Sequence, residues 1–583
     1  MSAFSVGRKI LSDYRSGQSG SARWSDSYPA LVFAIIFVFI FLLHLPLLRL
    51  PYFWDEAGYY VPAARDILLT GSLIPHSTVS NAHPPLVMAW FALWWKVVGY
   101  APVVTRSAML LLSAFSLLGV FRLAERVSNT KIAIASTLCS ALWPVFFAQS
   151  SLAQVDLTAA GFIFWGLSAY VEGQLAATVV WFALAALAKE TAILAPAGLA
   201  GWEILGLIAR KSKLRKLWRN GEDLPQGLKP DSLRSGEGAT GSRSLSKHHL
   251  SIQRIGSLML PVIPLVLWYV YHRARTGYVF GNPEFFRYNV AATLSPARFL
   301  LALAMRLWQI SGYLHLWMLT VPTLLAMWML PPLRHADHER PRISLPTQMF
   351  FYIVILTYVV AMALIGGAVL ARYMLSAVPL VIILCVSTFW RRISFWRAAV
   401  ACVALAFVAA WFLNPPYGFS PEDNLAYRDY IVLHQDGERF LEARYPMARV
   451  LTAWPASDEV TRPWLGYVTR PMRVVRIEDF SLDEVFSARE FRSNYDVALI
   501  FSTKYEPGPA AWDRWPEWSK LKSRFFGFHR DLPPELAAKI LGGHLVFSEQ
   551  KQGQWIAVIE MEKNEVQNAV LSKENQTPRL VEP

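Results

Sequence analysis

Cysteine is nearly absent. The 583 residues contain three, Cys139, Cys385 and Cys402, each inside an apolar segment, which excludes a disulfide framework and a thiolate metal site. Charge is scarce too: Asp, Glu, Lys and Arg make up 17% of the chain, against about 25% in ordinary soluble domains. A Gly-rich phosphate loop and a Rossmann signature, the glycine turn between a strand and a helix, are missing, so nothing marks a nucleotide-dependent enzyme. After residue 414 no apolar run reaches the ~20 residues that a bilayer-spanning helix needs.

What is there is apolar bulk. Hydrophobic residues make up 54% of the chain and gather in long blocks between residues 30 and 413. The expected fold is therefore mainly α and polytopic, followed by a small soluble α/β domain. The formal net charge is +14, but the basic residues cluster in short loops between apolar blocks. There they set membrane orientation, and nucleic acid is not an expected partner. Arg8, Lys9, Arg15 and Arg23 precede an apolar stretch without a small-residue cleavage site, which reads as an uncleaved anchor behind a cytoplasmic segment, residues 1–28.

Orientation follows from the loops. A first span over 30–48 puts Asp55 and Glu56 outside. Arg122, Arg126 and Lys131 mark a cytoplasmic loop, so the helix over 103–123 runs inward. Residues 84–99 are then left without a crossing. They follow His83-Pro84-Pro85, include Lys96 and four Trp or Phe rings, and are expected to lie in the outer interface. A span over 132–152 runs outward and delivers Asp156 to the side of Asp55. Spans over 157–171 and 176–188 return to the outside at Lys189-Glu190, and one over 191–208 descends into the basic, Ser/Gly-rich loop 210–254, expected to be cytoplasmic. Further spans over 255–271, 312–330, 352–370, 374–390 and 398–413 bring the total to about eleven. Residues 415–562 form the outer α/β domain and 563–583 a disordered end.

Ionisable groups at membrane depth are costly and commonly functional. Those at outer helix ends are Asp55, Glu56, His83, Asp156, Lys189, Glu190 and Arg372: carboxylates that can accept a proton, and cations that can hold a phosphate. Arg273, Arg275, Arg287, Arg298 and Arg306 also fall on or near the outer side, against the positive-inside rule. Either the topology slips there, or they bind an anion, or they are interfacial arginines that snorkel to headgroups.

The segments Tyr52-Phe53-Trp54-Asp55-Glu56-Ala57-Gly58-Tyr59-Tyr60, Ala63 to Gly71 and Ala82-His83-Pro84-Pro85-Leu86 resemble the first outer loop of GT-C glycosyltransferases. The resemblance is strongest to the protein O-mannosyltransferase and aminoarabinose (lipid A) transferase branch. Asp156 after an outward helix, Lys189-Glu190 before a descending one, and Arg372-Tyr373 follow in the family's order, over residues 30–414. The resemblance implies a catalytic transmembrane domain over 29–414 that moves a sugar from a polyprenyl-phosphate donor to an acceptor hydroxyl on a glycolipid, an envelope glycan or a protein. The membrane implied is a bacterial-type inner membrane, with the C-terminal domain outside. Asp55 matches the family's catalytic base, Glu56 the adjacent acid and Asp156 the second-loop acid. His83 stands where the aminoarabinose transferases carry a phosphate-contacting lysine, and Lys189, Arg372 and Tyr373 match positions near the lipid phosphate. No cofactor is firmly implied. Acidic residues equivalent to Asp55 and Asp156 bind a divalent metal in some oligosaccharyltransferase relatives, and that stays open.

Each residue also has a plain structural reading. Asp55, Glu56 and Asp156 can cap helices, His83 can shape a turn, Lys189-Glu190 can be a local ion pair, and Arg372 can snorkel. A transporter or flippase, or a polyprenyl-phosphate-binding scaffold without activity, would use similar residues. In the C-terminal domain, strand-like runs fall at 448–454, 473–477, 496–501 and 555–561. No catalytic constellation is evident there, and Asp458-Glu459 reads as a solvated turn.

Overall fold

The computed structural model describes residues 23–211, 252–283, 295–335, 338–365, 368–505, 507, 515–526 and 528–562. The first 22 residues, most of the basic loop, Arg287 and the end from residue 563 lie outside the described residues. The chain divides into two compact units. One comprises Met1–Leu48 and Ser80–Ala410, the other Arg49–Val79 and Trp411–Pro583.

The first unit is a helical bundle. Five of its helices, Pro29–Leu47, Pro102–Val127, Glu190–Ile208, Ile252–Thr276 and Leu345–Ile365, are long and apolar enough to cross a membrane. The pair Pro296–His315 and Trp317–Met329, bent by 101°, makes a sixth if the two halves count as one broken span. The chain is thus a multi-pass membrane protein. The bend falls where Leu314 and His315 take left-handed backbone angles, φ 44° and 66°, which an α-helix cannot continue through. The expected total of about eleven also counted shorter helices, among them Thr130–Leu142, Leu175–Ala188 and Trp396–Phe412. Small residues let helices approach: a Cβ on Gly161 would stand 2.0 Å from Ser116 Oγ, so Asp156–Glu172 and Pro102–Val127 pack almost backbone to backbone.

The helix Leu86–Val98 has 13 residues, or about 20 Å, against about 30 Å of hydrocarbon. It starts after Pro84-Pro85 and stops at Gly99, φ 102°. Two of its indoles tie it to the helix Pro102–Val127: Trp90 donates to Ala108 O at 3.1 Å and Trp95 to Thr105 Oγ1 at 2.9 Å.

The second unit is built on a five-stranded mixed sheet. Its strands are β1 (Arg449–Ala453), β2 (Arg473–Ile477), β3 (Val497–Phe501), β4 (Gly543–Lys551) and β5 (Gln554–Met561), in the order β2-β1-β3-β5-β4. β1 pairs in parallel with β2 and β3, while β5 is antiparallel to β3 and β4. Four strands match the expected runs; β4 was not expected. It is an edge strand, half exposed and interrupted by a bulge between Leu545 and Phe547, so its apolar alternation is blurred. The helix Ala426–Arg444 covers the sheet at Gly437, where a Cβ would stand 2.8 Å from Ile556.

The segment Arg49–Val79 folds into this second unit. Tyr52 is fully buried, and its carbonyl accepts from the Tyr467 hydroxyl at 2.8 Å. Arg462 donates to Ser77 O at 2.8 Å, and the Arg65 guanidinium lies 4.9 Å from the Trp464 ring centre. Within the segment, Asp66 Oδ2 accepts from the backbone N–H of His76 and of Ser77, both at 2.7 Å.

Candidate functional site

In the first unit the structure brings together Asp156, Lys189, Arg372 and Tyr373, which are far apart in sequence. Asp156 opens the helix Asp156–Glu172, where the positive end of the helix dipole favours a carboxylate. Lys189 follows the helix Leu175–Ala188 in extended backbone, and Arg372 lies on the tight turn Ala371–Met374. Lys189 Nζ donates to Asp156 Oδ1. Arg372 Nε sits 3.5 Å from Asp156 Oδ2, and a second nitrogen of Arg372 donates to Gln154 Oε1 at 2.6 Å. All three charged residues are buried, 4–6% exposed, at a depth where an unpaired charge would cost several kcal/mol.

Tyr373 gathers further charge. Lys189 Nζ lies 4.1 Å from its ring centre and the Arg306 guanidinium 5.4 Å, positions in which the ring quadrupole attracts a cation. Arg306 is fully buried, held by the carbonyls of Leu370 and Ala368 and by Gln309 at 2.6, 3.2 and 2.8 Å. Lys189, Arg372 and Arg306 thus surround Tyr373, with Asp156 among them and Glu190 close enough to Lys189 to act on its charge. This suits an anion. It does not suit a divalent metal at Asp156, because cations already face both carboxylate oxygens. His83 and Glu190 form a separate pair, Nδ1 to Oε2 3.1 Å, with both side chains partly exposed.

Asp55 and Glu56 belong to the second unit. Glu56 is fully buried and its Oε2 accepts the Phe53 N–H at 2.8 Å. It begins the π-helical turn Glu56–Tyr60, a form that recurs at functional sites. Asp55 is half-buried and follows Trp54, whose φ of 43° is left-handed. For a bulky residue that conformation costs energy and persists only when neighbours enforce it. Here the neighbours are Trp454 and Tyr430, packed edge-on against Trp54 with ring centres 5.2 and 5.7 Å away. Thr78 Oγ1 also holds Gly58 O at 2.9 Å.

Sequence reasoning missed Gln154, which stands two residues before Asp156 and showed no charge to mark it. Arg306 was noticed only as an exception to the charge rule. The C-terminal domain holds a group it missed altogether: His434, Glu438 and Glu459, all buried, with His434 Nδ1 2.6 Å from Glu459 Oε2 and 3.5 Å from Glu438 Oε1. Asp458-Glu459 is accordingly not a solvated turn. Glu459 is 0% exposed, because the helix Ala456–Thr461 turns it inward while Asp458 pairs with Arg462 at 3.5 Å. Burial, reinforced by the neighbouring Glu459, holds the Glu438 carboxyl well above the usual carboxylate range.

No family model matches the sequence, and no curated protein matches it significantly. Among solved structures, the chain is similar to ArnT from Cupriavidus metallidurans in the apo state, with 14% identity and a TM-score of 0.49 over 92% of this chain and 98% of that one. It is also similar to the Archaeoglobus fulgidus oligosaccharyltransferase AglB, with 12% identity and a TM-score of 0.43 over 92% and 74%. For the S. cerevisiae O-mannosyltransferase complex Pmt1-Pmt2 the values are 16% and 0.30 over 45% and 36%.

Proposed function

We propose that this chain is a membrane glycosyltransferase that moves a sugar from a polyprenyl-phosphate donor to an acceptor hydroxyl, with inversion at the anomeric carbon. The observation that carries the reading is the buried group around Tyr373, in which Lys189, Arg372 and Arg306 gather beside Asp156. Guanidinium and ammonium groups gathered out of water at one ring are the chemistry that holds a phosphate. Lys189 and Arg372 stabilise the charge that grows on the departing phosphate oxygen, and Asp156 holds the two in place. Asp55 takes the proton from the acceptor hydroxyl. Glu56, tied to the Phe53 N–H, shapes the turn that presents Asp55. His83 and Tyr373 complete the donor-phosphate contacts.

The reaction takes place at the outer face of a bacterial-type inner membrane, with the N-terminus inside and the α/β domain outside. The acceptor is a glycolipid, an envelope glycan or a protein.

The test is transfer from a polyprenyl-phosphate sugar by purified protein, alongside mass spectrometry of envelope glycans with and without it. Asp55→Asn is expected to lower the rate by about 10²–10⁴-fold while leaving donor binding intact. Arg372→Ala is expected to weaken donor binding, and Glu56→Gln to retain most of the rate. Wild-type turnover in folded Asp55→Asn would remove Asp55 as the base. Donor translocated across vesicles without any transfer would favour a flippase instead.

A further inference from the structure

The second unit contains an inward-facing donor set that the proposed reaction does not use. His434 and Glu438 stand one helical turn apart on Ala426–Arg444, so they share a face. Glu459 reaches them from Ala456–Thr461. One ligand atom from each lies within 4.8 Å of the others, and the three residues are 0–1% exposed. Among the described residues, the oxygens of Glu438 and Oε1 of Glu459 meet no hydrogen-bond donor other than a proton the two carboxyls can share, and the buried Tyr430 hydroxyl beside them has no partner either. Protein interiors rarely leave so many polar atoms unsatisfied in one place.

We propose that His434, Glu438 and Glu459 bind a divalent transition ion, of the zinc or manganese class, that braces the second unit. Two carboxylates and a neutral imidazole carry a formal charge of −2, which a divalent ion cancels. One nitrogen and two oxygens suit zinc, cobalt or manganese better than a soft ion such as copper(I). Ligands around a tetrahedral ion at ~2.1 Å stand ~3.4 Å apart, so binding needs a side-chain contraction of about an ångström, not a new backbone. Three protein ligands leave a fourth position for a water, but with all three residues 0–1% exposed no substrate reaches the ion, whose role is structural. It ties the helix Ala426–Arg444 to the helix after β1. On the same helix face, Tyr430 stacks on His434 with ring centres 3.9 Å apart and packs against Phe53 and Trp54 at 5.1 and 5.7 Å. The ion therefore also steadies the aromatic seat under the Trp54-Asp55 turn.

The experiment uses full-length protein purified in detergent from medium containing zinc and manganese, dialysed, and analysed for metals. Wild type is expected to hold one ion per chain, and Glu438→Gln and His434→Ala to lose it. After chelator treatment, wild type is expected to melt at a lower temperature and to recover with added zinc, whereas Glu438→Gln, which keeps the side-chain volume, is expected to be insensitive to both. Cobalt(II) added to stripped wild type gives visible d–d absorption if the site binds. Folded wild-type protein that stays free of metal, shows no melting shift with zinc or manganese and no cobalt spectrum would overturn the proposal. So would Glu438→Gln melting at or above wild type, because the two carboxyls would then simply share a proton.

Discussion

Gly58→Ala is a one-carbon change that tests how the Asp55 turn is held. A Cβ at Gly58 would stand 2.5 Å from Trp454 Cζ2 and Nε1 and 2.7 Å from Cε2, inside any tolerable contact. The indole must retreat by roughly 1 Å, and overpacking of this kind costs about 1–3 kcal/mol. Trp454 is not free to move, because Trp54 packs against it edge-on. Alanine itself is favoured over glycine in a helical turn by ~0.4–1 kcal/mol, so the net loss is about 1–2 kcal/mol. For a unit of ~200 residues that lowers the melting temperature by about 2–8 °C. Since Trp54 precedes Asp55, a displaced indole also shifts the carboxylate, and a 1 Å misplacement can cost about 10²-fold in rate. Trp454→Leu removes the obstructing ring at its own cost of ~2–4 kcal/mol. In that background Gly58→Ala is expected to be neutral or stabilising, a coupling of about 1–3 kcal/mol in a double-mutant cycle read by thermal melting. Equal destabilisation in both backgrounds would refute the clash as the cause.

Two further predictions concern charge. Asp156→Asn leaves Lys189 and Arg372 buried without their carboxylate and is expected to cost ~3–5 kcal/mol; Asp156→Asn with Lys189→Met should recover part of that, and a single variant as stable as wild type in detergent melts would contradict the pairing. In the C-terminal sheet, Arg449 grips Asp496 through Nε at 3.2 Å and a terminal nitrogen at 3.0 Å, and these hydrogen bonds hold the Asp496 carboxyl below its ordinary value. A depressed carboxylate stabilises the fold above the ordinary value and loses that contribution as pH falls through its folded one. The pair is exposed, so Asp496→Asn should cost under about 1 kcal/mol at neutral pH, and the difference should start to shrink below about pH 4 and vanish only beneath the carboxyl's lowered folded value. A gap that does not narrow at all as pH is lowered from about 5 to 2 in melting curves would show that the effect is not ionic.

The helical bundle and four of the five strands were legible because long apolar runs and period-two alternation are local signals. Asp156, Lys189 and Arg372 were legible for a related reason, since a charge at the end of an apolar block is conspicuous. What each charge touches was not. The contact of Lys189 with Asp156 depends on how Leu175–Ala188 packs beside Asp156–Glu172, and packing has no local signature. The His434, Glu438 and Glu459 group was hidden differently. His434 and Glu438 sit in a helix whose sequence, Asp436, Glu438, Arg439 and Glu442 included, reads as a solvated face, and Glu459 lies next to an Asp that does pair near the surface. Burial is decided by the sheet they fold against, with Gly437 admitting Ile556 at close range.

The partnership of Arg49–Val79 with a domain that begins more than 300 residues later changes how the tail should be regarded. A first loop of some 30 residues cannot bury enough surface to order itself, since segments below ~40 residues seldom carry their own core. Yet it contains a left-handed Trp54, a π-helical turn and a buried Glu56, features that relax unless they are enforced. The enforcing atoms are Trp454, Tyr430, Tyr467 and Arg462. The C-terminal domain is thus what makes the conformation around Asp55 possible. Its fully buried sheet core, β3 with all five residues buried, supplies the rigidity that a loop bearing the proposed catalytic base needs.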